Sequence, residues 1–263
     1  MKHNKLVTIA LVSLFLLAQL IGLVIIDKYN QKSLPFGIER PEFQDNFSYI
    51  SLIISILIAT GLALIIINLG AMKVWKAWFI FASLYLLTIA MTAFFNELTA
   101  FIIALGLVLY RVLRLSLVSQ NLSELFIYSG IAAIFSPVLT IFSACMLLIL
   151  ISIYDIIAVW KTKHMVKLAK FQTKSRMFAG LLIPYNKGKK AAILGGGDIG
   201  FPMIFFGVVL MKYSVLHALI SIFTTSLALL LLLIYSKKNK FYPAMPFISA
   251  GCFAGLLISL LLI

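Results

Sequence analysis

The sequence predicts an all-α polytopic membrane protein with about nine transmembrane helices. Of its 263 residues, 63% are hydrophobic and only 11% are charged. Its mean hydropathy of +1.11 lies far above the usual range of soluble domains. A bilayer core about 30 Å thick needs about 20 apolar helical residues for each crossing. The chain therefore has little room for a soluble domain.

Nine apolar runs, each bounded by polar residues, glycine or proline, support this count. The first run is longer than the core of a secretory signal peptide, and we interpret it as the first membrane helix. The fifth run is the weakest candidate, because it is short for a full crossing and could be a tilted or re-entrant piece. The runs cover residues 6–26, 48–70, 74–94, 98–118, 122–136, 138–160, 194–211, 213–235 and 243–263.

The distribution of Lys and Arg predicts the orientation of these helices. Of the 22 basic residues, 18 fall in segments that share one side of the membrane when the helices are counted from the N-terminus. Cytoplasmic loops are enriched in Lys and Arg, so we expect a cytoplasmic N-terminus and a C-terminus outside. The formal charge of +14 lies in the gaps between apolar runs and does not form a basic face, so no nucleic-acid partner is expected.

We expect the whole chain, 1–263, to be a single membrane domain. Residues 1–160 hold helices one to six, 161–193 form a basic cytoplasmic loop, and 194–263 hold helices seven to nine. The loop is typical of an amphipathic surface segment or a flexible connection. Cys145 and Cys252 lie inside apolar runs, which indicates small hydrophobic side chains. The sequence therefore predicts no disulfide framework, no metal site and no cofactor.

Two acidic residues, Asp155 and Asp198, lie well inside the apolar runs, whereas we place Glu97 and Glu124 at helix ends. A carboxylate at membrane depth costs about 2.5–3.5 kcal/mol on insertion scales, so an intramembrane acid indicates a functional site. If both segments are helical, Asp155 lies about 9 Å and Asp198 about 12 Å inside the cytoplasmic edge. Their helices are consecutive and antiparallel, so the two acids can face each other.

Two carboxyls that share a site cannot both ionise cheaply, and the pair holds a single proton near neutral pH. Aspartyl proteolysis requires this state, because one acid takes a proton from water while the other polarises the scissile carbonyl. The spacing alone leaves two other readings open. The pair could carry protons or cations in a transporter or leak channel, or each acid could be a structural hydrogen-bond partner.

Local motifs surround both acids. Asp198 ends the run Gly195–Asp198, whose glycines permit close backbone approach or, alternatively, a small-residue packing face. Asp155 follows Tyr154, and the last apolar run opens with Pro243, Ala244, Met245 and Pro246. Each motif alone is a weak signal, and their order and spacing together are far more specific.

This combination resembles the presenilin and signal peptide peptidase family, with Tyr-Asp in helix six, Gly-x-Gly-Asp in helix seven and a Pro-Ala-Leu-like turn before helix nine. The run from Tyr154 to Met165 resembles the archaeal branch in particular. The resemblance implies an intramembrane aspartic endopeptidase, a hydrolase that cleaves transmembrane helices of other membrane proteins. It implies that Asp155 and Asp198 are the catalytic dyad. The residues expected to shape the site and bind substrate are Tyr154, Gly195, Gly197, Pro243, Ala244 and Met245.

The chain departs from the family pattern at Met245, where the family has Leu. The two side chains are similar in volume, and such exchanges usually cost less than about 1.5 kcal/mol. We therefore expect activity to be retained, although selectivity near the scissile bond could differ.

The resemblance also implies a multi-pass protein of an archaeal cell membrane whose partners are transmembrane substrates and the lipid bilayer. A helical substrate hides its carbonyls in hydrogen bonds and must unwind before water can attack. The segment Lys190–Leu194 could supply an edge strand that pairs with the unwound substrate. The sequence does not set the oligomeric state.

Rival readings remain at this point. A prepilin or preflagellin peptidase has a Gly-x-Gly-Asp type signature, but it has fewer crossings and lacks the Pro-Ala turn. A zinc protease would need His-Glu-x-x-His, and the three histidines do not suggest a serine dyad. A transporter would need further ionisable groups across the bilayer. If the site has lost its activity, the protein would instead be a scaffold that only binds its partners.

Overall fold

The computed structural model describes residues 4–29, 33–41, 48–114, 116–162, 164–165, 168, 171–172, 177–185, 190–236 and 242–263. In these ranges the chain forms nine main α-helices and one β-hairpin, which confirms the predicted helical membrane class. The helices are α1 (Lys5–Tyr29), α2 (Ser48–Asn68), α3 (Met72–Thr92), α4 (Glu97–Arg114), α5 (Leu117–Phe135), α6 (Ile141–Ile156), α7 (Gly196–Lys212), α8 (Val215–Tyr235) and α9 (Met245–Leu262).

Seven helices of the described part of the chain are long and apolar enough to cross a membrane. The two that fall outside this set are α4, which contains Glu97, Arg111 and Arg114, and α7, which has 17 residues. The seven spans are Lys5–Tyr29, Tyr49–Asn68, Met72–Thr92, Leu117–Val138, Ile141–Lys161, Val215–Tyr235 and Met245–Leu262.

The fifth helix is longer than its apolar run. It begins at Leu117, because the Ser116 side chain caps it by accepting a hydrogen bond of 3.0 Å from the backbone N–H of Ser119. With the 3₁₀ turn that follows, the span Leu117–Val138 has 22 residues. By length it crosses the membrane fully, so a short re-entrant piece is not needed.

A β-hairpin lies directly before α7. Strands β1 (Gly180–Tyr185) and β2 (Lys190–Gly195) pair antiparallel, with Gly180 opposite Gly195. The sequence predicts a loop up to residue 193 and a helix from 194, whereas the helix begins at Gly196. The estimate of about 12 Å for the depth of Asp198 assumed helical rise from Lys190, and a strand there makes that estimate wrong.

Helix α7 is the central helix of the bundle. It packs against α1, α5, α6, α8 and α9, and nearly all of its residues from Ile199 to Leu210 are buried. This is the expected environment of a helix that is apolar on every side. Gln19 of α1 donates a hydrogen bond of 3.1 Å to the carbonyl of Ile199 and fixes α1 to the first turns of α7.

Candidate active site

Asp155 lies at the cytoplasmic end predicted for α6, one residue before the α-helix ends, and a π-helical turn, Ile157–Lys161, follows it. Its half-buried carboxyl contacts the start of α9. Oδ2 of Asp155 accepts a hydrogen bond of 3.1 Å from the backbone N–H of Met245, and the backbone of Ala244 also donates to this carboxyl. Two motifs that are 90 residues apart in sequence therefore meet at one acid.

A pair of serines fixes the two helices that carry this contact. The hydroxyls of Ser152 and Ser249 lie 2.9 Å apart, and both also bond to the carbonyl of Leu148. Ser152 is one turn from Asp155 on α6, and Ser249 is one turn from Met245 on α9. The serine pair therefore holds Asp155 and Met245 in register.

Asp198 is the third residue of α7, and Gly195 is the N-cap of that helix with an extended backbone (φ −66°, ψ 153°). The Asp198 carboxyl accepts a hydrogen bond from the backbone of Gly195. This is the reach of an acidic N3 side chain back to the N-cap N–H that is seen in capping boxes. The partial positive charge of the helix N-terminus also favours an acid at this place.

Helices α6 and α7, which carry Asp155 and Asp198, pack against each other. The carboxyls of Asp155 and Asp198 are close enough for their charges to interact. Each is held by backbone N–H groups, Asp155 from α9 and Asp198 from the turn that ends β2. The main chain therefore sets the orientation of both carboxyls.

The glycines before Asp198 differ in how closely they are packed. A Cβ on Gly195 would lie 3.3 Å from Oδ2 of Asp198, and one on Gly197 would lie 3.3 Å from the Phe201 ring. A Cβ on Gly196 would lie only 2.5 Å from the hydroxyl of Tyr128. The sequence motif pointed to Gly195 and Gly197, whereas the tightest approach among the three glycines is at Gly196.

The other residues predicted from the sequence to shape the site have different surroundings. Tyr154 is turned to the following segment, where its hydroxyl lies 2.9 Å from Nε2 of His164. Pro243 is buried just before α9, and Gly197 is exposed. Of the residues predicted from the sequence, Gly195, Ala244 and Met245 bond to the two acids.

A third membrane acid, Glu124, was placed at a helix end by the sequence analysis, and this placement is wrong. It is the eighth residue of α5 and is 1% exposed. Its Oε1 lies 2.7 Å from Nη2 of Arg111, which is itself 3% exposed. Both residues occur near the ends of apolar runs in the sequence, and only an opposite charge on the preceding helix could have indicated the pair.

The site has the two carboxyls that aspartyl hydrolysis needs. In the described part of the chain, no group of three or more His, Cys, Asp or Glu residues could hold a metal ion. Two neighbouring carboxyls can share one proton and activate a water molecule between them.

Comparisons with known proteins show the family and the fold of the chain. Residues 12–263 match the protein family described as signal-peptide peptidase, presenilin aspartyl protease. Two solved structures of a presenilin family intramembrane aspartate protease are similar to this chain at 20% identity. The one in space group C222 has a TM-score of 0.73 and covers 97% of this chain and 99% of its own. The one in space group P2 has a TM-score of 0.74 and covers 100% of both. No curated protein matches the sequence.

Proposed function

Because the chain belongs to the family of signal peptide peptidase and presenilin aspartyl proteases, we propose that Asp155 and Asp198 are its catalytic dyad. The protein is an intramembrane aspartyl protease, and its substrates are membrane proteins. The main support for this dyad is that three sequence motifs make contact around the two acids. Met245 bonds to Asp155, Gly195 bonds to Asp198, and the two carboxyls interact.

The geometry supports hydrolysis by direct attack of water. The ionised carboxyl takes a proton from water, and the resulting hydroxide attacks the scissile carbonyl carbon while the protonated carboxyl donates its proton to the carbonyl oxygen. The tetrahedral intermediate then collapses as the C–N bond breaks: the carboxyl that is now protonated gives its proton to the leaving amine, and a hydroxyl of the intermediate gives its proton to the ionised carboxyl. The dyad ends with one proton, as it began.

The hairpin supports pairing of an unwound substrate with the outer edge of β2. Gly196 N–H donates to the carbonyl of Ala179 at 3.1 Å. Ala179 and Gly196 are therefore a hydrogen-bonded pair of the ladder, and the next pair, Gly180 and Gly195, is not. Because the two kinds of pair alternate along an antiparallel ladder, residues of the non-bonded pairs point their backbone N–H and C=O groups away from the partner strand. On β2, the outward N–H and C=O groups belong to Ala191 and Ile193.

The outer edge of β1 is already occupied by side chains of α5. Asn121 donates to the carbonyl of Leu182 at 2.9 Å and accepts from its N–H at 3.0 Å. Gln120 donates to the carbonyl of Gly180 at 3.2 Å. Of the two strands, β2 is therefore the one that can accept a substrate strand by β-augmentation.

The remaining parts of the proposal rest on the sequence. The excess of Lys and Arg on one side supports a cytoplasmic N-terminus and an external C-terminus for one membrane domain, 1–263. The resemblance of residues 154–165 to the archaeal branch supports the cell membrane of an archaeon as the location. Tyr154, Gly197 and Pro243 are proposed to shape the site around the dyad.

A cleavage assay with purified protein tests the proposed function. The protein in detergent is mixed with a single-span substrate, and products are identified by mass spectrometry. We expect cuts inside the membrane segment of the substrate. The same preparation in liposomes is tested for proton and cation flux, and flux without cleavage would overturn the protease assignment in favour of transport.

A further inference from the structure

Glu124 is a buried acid that the catalytic chemistry does not use. It is 1% exposed and makes contacts in three directions. Its Oε1 pairs with Arg111 at 2.7 Å. Its Oε2 accepts a hydrogen bond of 2.9 Å from the backbone N–H of Gly180 and a short hydrogen bond from the hydroxyl of Tyr128. A carboxyl in such surroundings requires partners of this kind.

The contact with Gly180 connects Glu124 to Asp198 through the hairpin. Gly180 is the first residue of β1, and its partner across the ladder is Gly195. Gly195 is the N-cap of α7 and bonds to the Asp198 carboxyl. By holding the Gly180 N–H, Glu124 fixes the strand against which the N-cap of α7 is paired.

The contact with Tyr128 connects Glu124 to the first turns of α7, which carry Asp198. The hydroxyl of Tyr128 is bonded to Glu124, and the Tyr128 ring lies beside the Cα atoms of Gly196 and Gly200, which flank Asp198 in sequence. Tyr128 is buried, so its hydroxyl needs a hydrogen-bond partner inside the protein. Glu124 supplies that partner.

The contact with Arg111 holds the Glu124 carboxyl in place. Arg111 donates to the hydroxyl of Ser123 and to the carbonyl of Phe178, each at 2.9 Å. Its guanidinium lies 4.6 Å from the centre of the Phe79 ring. Arg111 therefore joins α3, α4, α5 and the residues before β1 at one point.

From these contacts we propose that Glu124 is a positioning residue that orients Asp198 through Gly180 and Tyr128. The inference rests on the proposed function of Asp198. Glu124 does not touch the reacting atoms. It sets the angle at which α7 presents its first turn, and small displacements of a reacting group can cost about 100-fold in rate.

Two conservative variants test this role. Tyr128→Phe removes the hydroxyl and keeps the ring beside Gly196, and Glu124→Gln keeps acceptors for Gly180 and Tyr128 but removes the charge. The active sites in each preparation are titrated with a tight-binding peptide analogue that carries a hydroxyl in place of the scissile bond. Then kcat for each titrated site and KM are measured, together with the thermal midpoint.

Matched controls are Tyr110→Phe, at an exposed tyrosine of α4, and Glu97→Gln, at an exposed acid that also accepts a backbone N–H bond. We expect kcat per site to fall by about tenfold or more in Tyr128→Phe, with KM within about twofold and the controls unchanged. A variant that keeps the wild-type midpoint but no longer binds the analogue supports the same conclusion.

An unchanged kcat per titrated site in Tyr128→Phe would overturn the inference, as would a loss of activity that only follows the folded fraction. Tyr128→Phe decides the question if Glu124→Gln does not fold. Failure of the wild type to cleave would instead be a failure of the proposed function, so the two are distinguishable.

Discussion

The backbone N–H of Met245 donates a hydrogen bond of 3.1 Å to Oδ2 of Asp155, and this bond joins the first residue of α9 to the acid of α6. The contact uses the main chain, so it does not depend on the identity of the side chain at 245. The Met245 side chain is 2% exposed and packs in the main hydrophobic cluster. The departure from the Leu of the family pattern therefore leaves the contact with the dyad intact.

Met245→Leu is expected to keep kcat/KM within about threefold of the wild type, because the N–H donor remains and the volumes are similar. Cleavage of one single-span substrate by both proteins checks this. A loss much larger than that would mean that the side chain, and not the main chain, makes the essential contact. The pattern of cut positions should be compared as well, because a change of side chain next to the dyad can alter selectivity.

Gly196→Ala is expected to lower kcat/KM at least about tenfold, because its Cβ would lie 2.5 Å from the buried hydroxyl of Tyr128 and would displace either the ring or the first turn of α7. Gly106→Ala in α4 is the matched control, since a Cβ there would meet no atom within 4 Å. Equal activities of the two variants would show that the close approach at Gly196 is not important.

Ala191→Pro is expected to weaken cleavage while leaving the hairpin intact. The N–H at 191 faces outward, and the residue opposite is Pro184, so the change removes no bond between the strands. Loss of one substrate hydrogen bond, about 0.5–1.5 kcal/mol, corresponds to a fall in kcat/KM of about twofold to 13-fold. Ala191→Ser, which keeps the N–H, should match the wild type. Full activity of Ala191→Pro would count against pairing at this edge.

Arg111→Met is expected to lower the free energy of unfolding by about 3–5 kcal/mol, because it leaves the buried carboxylate of Glu124 without its cation. Arg114→Met is the control, since Arg114 is exposed on the last turn of the same helix. Denaturant unfolding in detergent measures both. If the two variants are equally stable, the buried ion pair does not stabilise the fold.

The apolar runs and the charge distribution were enough to predict the number of helices, because membrane insertion requires one long apolar segment for each crossing. Asp155 and Asp198 were recognisable for the same reason, as acids inside such segments. The bond from Met245 to Asp155 and the serine pair that supports it follow from packing between α6 and α9, which no local pattern encodes.

The hairpin and the Glu124 cluster illustrate what sequence patterns miss. Residues 180–185 and 190–195 are too short and too mixed to be separated from a loop by periodicity. Side chains of α5 bond to the outer edge of β1, and these contacts between distant parts of the chain have no local sequence pattern. Glu124 and Arg111 looked like ordinary polar residues near helix ends, and their burial results from the packing of α4 beside α5.

The central claim is that Asp155 and Asp198 act as one catalytic pair, and the most direct test is the cleavage of a single-span substrate by Asp155→Ala and Asp198→Ala. Each variant is compared with the wild type at equal concentration, after its thermal midpoint has been shown to match. Both variants are expected to lose all cleavage, because neither carboxyl alone can activate water and protonate the carbonyl. Persistent cleavage by either folded variant would contradict it.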